Sequence, residues 1–262
     1  MKYDLPDVIR VDEDGPVRVI RLNRPDQLNA INPELHLGLA RLFPQLSNDV
    51  DARAAVITGE GRAFSAGGDF ELLDRMANDR AVRAQELAVG RELVLNMLRC
   101  RVPVVAAVNG PAVGLGCSVI ALSDVVYIAA SAYLSDPHVT VGLVAADGGP
   151  LTWPLHTSLL LAKEYAFTGD RITAERAAAI GLANHVCADG SVLEEALVGA
   201  HKIAKLPRQA VEATKRVLNV HLERSVLATI DFAMAAESES FDMPELRANV
   251  DRFLGRTTSP EG

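Results

Sequence analysis

The sequence predicts an α/β fold whose C-terminal part is helical. Short apolar runs rich in β-branched residues recur at 8–22, 54–59, 102–108 and 124–129, as expected of strands buried in a mostly parallel sheet. Helical periodicity fills the intervals between them. Beyond about Leu155 only helical patterns remain, at about 157–167, 173–179, 191–204, 207–219 and 222–240. Strand–helix alternation giving way to helices is the pattern of an α/β body with a helical appendage.

Each element has a local cause. Val8 to Leu22 reads as two strands about a turn at Asp14-Gly15-Pro16. Asn32 caps a helix with Pro33 at its first position, and Leu35, Leu39, Leu42 and Leu46 share one face. Ala54 to Gly59 is a buried strand, followed by the Gly-rich loop 59–70, and a helix is expected from Phe70. A long mixed helix spans about Ala81 to Leu98. Val102 to Val108 is the clearest strand. Asn109-Gly110-Pro111 ends it, Gly114 and Gly116 make a tight turn, and an apolar helix starts near Gly116. Such a helix start carries unpaired N–H groups and a positive dipole end, a place to hold developing negative charge. Asp124 opens a further strand. The stretch from Ala132 is expected to be irregular, and Val141 to Pro150 forms a third Gly-rich turn.

Composition excludes several functions. The net charge of −8, with no basic block, argues against nucleic acid or an anionic membrane as partner. Cys100, Cys117 and Cys187 are too few and too widely spaced for a disulfide framework or zinc site, and fit a reducing compartment. The first residues carry no apolar signal core and no run is long enough to span a bilayer, so a cytoplasmic location is expected. The six histidines show no metal-ligand spacing, and no metal is expected. Gly114-x-Gly116 lacks the third glycine of a dinucleotide fingerprint, because Val119 stands there. No Gly-Lys-Ser/Thr follows a glycine loop, and neither Ser65 nor Ser118 sits in a nucleophile elbow. Spacing alone leads to an α/β protein with a possible anion hole.

Four stretches carry a family resemblance: Leu22-Asn-Arg-Pro-Asp-Gln-Leu-Asn-Ala-Ile-Asn32, Val56-Ile-Thr-Gly59 with Arg62-Ala-Phe-Ser-Ala-Gly-Gly-Asp69, Pro103 to Cys117, and Thr168 to Ala183. In this order and spacing, they resemble the enoyl-CoA hydratase/isomerase (crotonase) superfamily. The resemblance implies a spiral of ββα units as an α/β core over 1–200, with a helical trimerisation region over 201–262 and trimers or hexamers as the assembly. It implies a coenzyme A thioester as substrate and no further cofactor. The thioester oxygen would lie between the backbone N–H groups of Gly68 and Leu115. Ala30, Ala66 and Gly67 would contact the coenzyme through their backbone, with Asp69, Phe70, Val113, Gly114 and Gly142 close by. Arg24 and Arg62 are candidates for its phosphates.

The chain departs from the family pattern where hydratases carry two glutamates: Ser118 and His138 stand there. His138 is then the candidate general base or acid, Asp147 a second proton-transfer group or a turn residue, and Ser118 a holder of water or a structural hydroxyl. Three readings are open. One is an enoyl-CoA hydratase or isomerase, isomerisation being the easier with a single base. The others are a different CoA-thioester reaction, such as hydrolysis or C–C cleavage, and a non-catalytic acyl-CoA binder.

Overall fold

The computed structural model describes residues 3–256. The N-terminal hairpin pairs β1 (Ile9–Asp14) with β2 (Val17–Leu22). A short 3-10 turn at Pro25–Gln27 leads to α1 (Pro33–Asn48), where the Asn32 side chain accepts from the Leu35 N–H at 2.9 Å. The four leucines expected on one face of α1 are fully buried. The chain continues through β3 (Ala54–Gly59), α2 (Phe70–Asn78), α3 (Arg80–Arg99), β4 (Val104–Val108), β5 (Ala112–Val113), α4 (Leu115–Ala121) and β6 (Val125–Ala129).

Six strands form the main sheet in the order β1, β2, β3, β4, β6 and, at the far edge, His185–Cys187. All its pairings except the β1–β2 hairpin are parallel. β3 and β4 are buried at every residue, as their uninterrupted apolar runs require. The α/β class therefore stands.

The structure departs from the sequence reading at five places. The stretch after Ala132 is ordered: β7 (Tyr133–Ser135) pairs with β5, and α5 (His138–Val141) comes next. The third Gly-rich turn ends in a helix, α6 (Gly149–His156), with Pro150 tolerated in its first turn. After α7 (Leu159–Thr168), β8 (Ile172–Thr173) and α8 (Ala174–Ile180) comes β9 (His185–Cys187), so the C-terminal part is not purely helical. A three-residue strand held by edge pairing to β6 leaves too short a pattern to read. After α9 (Val192–Ala204), the two helices expected at 207–219 and 222–240 are one, α10 (Arg208–Ser240). His221 between them breaks the apolar pattern without breaking the backbone. Last is α11 (Pro244–Phe253), unseen in the sequence because its apolar face, Leu246 and Val250, is only two residues. The chain position 200/201 falls inside α9, which packs on β3, β4 and β6. Of the expected helical region 201–262, residues 257–262 lie outside those described.

Two features anchor the C-terminal helices. α10 is tied to the sheet by Lys215, whose ammonium donates to the Val102 carbonyl at 2.9 Å and to Asp124 at 2.7 Å, while Asp124 also accepts from the Val104 N–H. Asp124 is thus a structural carboxylate. A second apolar cluster, Leu72, Met76, Leu143, Phe241, Leu246 and Val250, joins α2 to α11 away from the main core.

The fold also buries the ion pair of Arg18 and Asp49 fully. Arg18 donates to Asp49 at 2.7 Å, and the Tyr3 hydroxyl donates to the same carboxylate at 2.8 Å. Burial alone would raise the Asp49 carboxyl, but these bonds bring it down to about 2. Its contribution is therefore complete above about pH 4 and is lost as pH falls through about 2. Asp49→Asn strands the Arg18 guanidinium and is expected to cost about 3 kcal/mol in urea unfolding at pH 7. A loss below about 0.5 kcal/mol would show the pair to be dispensable.

Candidate active site

β3 and β4 are adjacent parallel strands, so the loops after them leave the sheet at the same edge. These are the two Gly-rich loops, and they meet backbone to backbone. The Val113 N–H donates to the Ser65 carbonyl at 2.9 Å, and the Phe64 N–H to that of Pro111 at 3.1 Å. Gly67 has φ +87°, and a Cβ there would stand 2.9 Å from the Val113 oxygen. A Cβ on Gly116 would stand 2.7 Å from Ser65 Cβ. Glycine is needed at both positions for the loops to close.

Among the described residues, neither the Gly68 nor the Leu115 amide has a hydrogen-bond acceptor. The Ile31 N–H donates to the Gly67 carbonyl and the Asp69 N–H to the Ile31 carbonyl, bracketing Gly68 without using its own N–H. Leu115 is the first residue of α4, where no intrahelical acceptor exists. Gly68 and Leu115 both line one cavity of about 330 Å³.

Of the residues expected at the site, the cavity brings together Ala66, Gly67, Gly68, Phe70, Val113, Gly114, Leu115, His138 and Asp147. Ser118 lies just behind, fully buried, and donates to Asp147 Oδ1 at 2.8 Å. The other five stand off the cavity wall. Arg24 is turned inward, donating to the Ala30 carbonyl and lying 3.5 Å from Asp69. Ala30 is thereby engaged through its carbonyl. Asp69 caps α2, accepting from the Glu71 N–H at 3.0 Å. Arg62 is exposed in its loop. Gly142, φ +99°, is pressed against the Leu246 backbone, where a Cβ would meet its nitrogen at 3.0 Å. It serves the packing of α11.

His138 sits between two carboxylates. Its Nδ1 bonds Asp136 Oδ1, and its Nε2 lies 3.6 Å from Asp147 Oδ2, a charge-pair distance rather than a hydrogen bond. Burial favours the neutral ring, yet the two carboxylates outweigh it and hold the His138 pKa well above the usual histidine value. The two carboxylates therefore favour the protonated imidazole. Burial likewise opposes ionisation of Asp147, but His138 and Ser118 bring its pKa below the ordinary value. The ring stands beside the turn of Gly114, whose missing Cβ would lie 3.7 Å from His138 Cε1.

A family model described as enoyl-CoA hydratase/isomerase matches residues 12–260. The chain belongs to the enoyl-CoA hydratase/isomerase family. An enoyl-CoA hydratase/isomerase from Mycobacterium paratuberculosis of known structure is 64% identical, with a TM-score of 0.93 over 95% of this chain and 100% of that one. A short-chain-enoyl-CoA hydratase from Clostridium acetobutylicum is 30% identical over 233 residues, 88% of this chain and 87% of the relative. A monofunctional enoyl-CoA isomerase from M. smegmatis is 26% identical with a TM-score of 0.71, covering 85% of this chain and 99% of that one.

In this enoyl-CoA hydratase/isomerase family member, four cavity-side groups escape sequence reasoning. Asp136 was legible in principle: a carboxylate two residues before the candidate histidine, across a proline. His36, Glu86 and Glu237 line the cavity from α1, α3 and α10. Nothing in their local sequence separates them from the polar face of a helix. Two glutamates thus line the cavity, Glu86 from α3 and Glu237 from α10. Burial drives Glu237 up to about 8, opposed by His138 and reinforced by Asp147 and Asp136. Among the described residues, no group of His, Cys, Asp or Glu side chains is arranged to hold a metal ion.

Gly67→Ala forces a Cβ onto the Val113 carbonyl in a left-handed backbone. It is expected to cost about 2 kcal/mol in stability and to weaken acyl-CoA binding at least tenfold by calorimetry. Retained affinity would show the loop contact to be adjustable. Glu237 offers a pH test. The folded chain keeps a proton up to about pH 8 that the unfolded chain releases near pH 4.3. Stability is therefore full below the lower value and declines as pH rises toward the upper one. Denaturation curves of Glu237→Gln are expected to lack this decline. An identical decline in the variant would mean that Glu237 ionises normally in the folded chain.

Proposed function

We propose that this family member catalyses proton transfer on an enoyl-CoA through a thioester enolate, with isomerisation of the double bond as its reaction. The observation carrying this reading is the pair of unengaged amides, Gly68 and Leu115, on the wall of the cavity that also holds His138 and Asp147. The thioester oxygen lies between the two N–H groups, which take up the charge of the enolate as it forms. Backbone donors on rigid turns need no reorganisation. They also explain why position 115 tolerates a leucine.

Asp147 is the base. Ionised at neutral pH and held by Ser118, it removes the proton from the carbon next to the thioester and returns it two carbons further along the chain. His138, protonated and oriented by Asp136, is an acid beside it rather than a second base. An acid–base pair of this kind also supports hydration as a second reading. There Asp147 takes a proton from water attacking the β-carbon and His138 delivers one to the α-carbon.

For the coenzyme, Arg62 is the exposed cation of the first loop available to a phosphate, whereas Arg24 is already committed to Ala30 and Asp69. Exposed Val217, Leu218, Leu227 and Phe232 on α10 support a homotrimer or hexamer, in which a second copy covers apolar area. The three cysteines are free and buried, which fits the cytoplasm. No helix among the described residues is long and apolar enough to cross a membrane.

Turnover of a 3-enoyl-CoA and of crotonyl-CoA separates isomerase from hydratase. Leu115→Pro deletes one amide proton at a helix position that suits proline, and is expected to lower kcat about 10²-fold or more with the fold retained by circular dichroism. Asp147→Asn is expected to lower it by a comparable factor. Tight acyl-CoA binding with no turnover of any enoyl-CoA would overturn the catalytic reading in favour of a binder.

A further inference from the structure

The cavity has a polar corner that the proposed proton transfer does not use. Glu86 and Gly90 are four residues apart on α3, and Met234 and Glu237 three apart on α10, so each pair shares a helix face. The two helices pack together, and all four residues line the cavity with His36 of α1. Gly90 opens the corner: a Cβ there would lie 3.5 Å from His36 Nε2 and 3.8 Å from the Met234 methyl. His36 Nδ1 bonds Glu86 Oε2 at 2.8 Å, which leaves Nε2 facing the space over Gly90. His36 and Glu237 are each only 8% exposed. Neither His36 Nε2 nor the Glu237 carboxyl has a hydrogen-bond partner within the described residues.

We infer that this corner binds an oxygen substituent on the acyl chain, a hydroxyl or ketone, and that the substrate is an oxygenated acyl-CoA rather than a plain fatty acyl-CoA. This rests on the acyl-CoA reading above. A hydrocarbon tail filling the cavity would strip water from Glu237 and His36 and leave two buried polar groups unpaired, a cost of about 1–3 kcal/mol each. An uncharged oxygen in the corner satisfies them: the carboxyl of Glu237 donates to it, and a hydroxyl in turn donates to His36 Nε2. The titratable groups around the corner are His36 and Glu86 on the helical side and His138, Asp147 and Asp136 on the loop side. With three aspartate and glutamate side chains besides Glu237, a carboxylate-terminated tail is repelled. A site that hydrogen-bonds a substrate hydroxyl discriminates strongly against the analogue lacking it.

The experiment is calorimetric binding of hexanoyl-CoA, hydroxyhexanoyl-CoA isomers other than the 3-hydroxy product of hydration, a ketohexanoyl-CoA with its ketone beyond C3, and adipyl-CoA to the full chain. At least one hydroxy or keto ligand is expected to bind ten or more times tighter than hexanoyl-CoA, and adipyl-CoA weakest. Glu237→Gln, which keeps an uncharged donor, is expected to retain the preference within about threefold. Glu237→Leu is expected to reverse it in favour of hexanoyl-CoA. Equal or tighter binding of hexanoyl-CoA by the unmodified chain overturns the inference, as does a preference that survives Glu237→Leu. Failure of every CoA thioester to bind would instead remove the acyl-CoA reading on which it rests. Thermal melting of both variants shows that each is folded when measured.

Discussion

The contact of two glycine turns is the constraint on which the site depends. β3 and β4 lie side by side and parallel, so the loops they release leave the sheet together. Ordinary side chains would hold those loops apart. With Gly67 against Val113 and Gly116 against Ser65, main chain meets main chain, and the bond from Val113 to Ser65 fixes the register. The polarity of the pocket floor is a consequence. The amides of Gly68 and Leu115 are left unengaged on the cavity wall, held by a scaffold whose core strands are buried at every position. Preorganisation of this kind comes from rigidity in the backbone and does not depend on which side chains decorate the turn.

Electrostatics then divides the labour. Asp136 and Asp147 would repel each other in a buried site, and His138 between them makes the arrangement tolerable by favouring its positively charged form. The same pairing sets both proton affinities, raising the ring's and lowering that of Asp147. In the proposed proton transfer, two neighbouring titratable groups pushed in opposite directions serve as acid and base at one pH. Glu237 completes the pattern from the helical side. It accepts a proton rather than add one more negative charge to a buried site.

Much of the architecture is legible in the sequence, and the exceptions share a cause. Buried parallel strands leave uninterrupted apolar runs, and turns that must close tightly leave glycines, so 54–59, 102–108 and both glycine loops stand out. Ser118 stands out because it follows the second glycine turn, at the start of α4; His138 stands out through the family resemblance, and Asp147 as the carboxylate of the third glycine turn. β9 and α11 do not, because short elements are stabilised by what they pack against, and three strand residues or two apolar helix positions carry no period of their own. His36, Glu86 and Glu237 are the functional counterpart of that failure. They come from three helices, fifty and more residues apart, and only the fold shows that these polar residues face inward. The inward turn of Arg24, a residue expected to be free for a phosphate, is likewise invisible without Ala30 and Asp69 in place.

The central claim is that two main-chain N–H groups polarise one thioester carbonyl. Isotope-edited infrared spectroscopy of an unreactive acyl-CoA labelled at the thioester carbon reads that directly. The account predicts that the carbonyl band moves to lower frequency on binding. It also predicts that roughly half of that displacement disappears when the Leu115 amide proton is deleted. A band at the frequency of the free thioester in the saturated complex would contradict it.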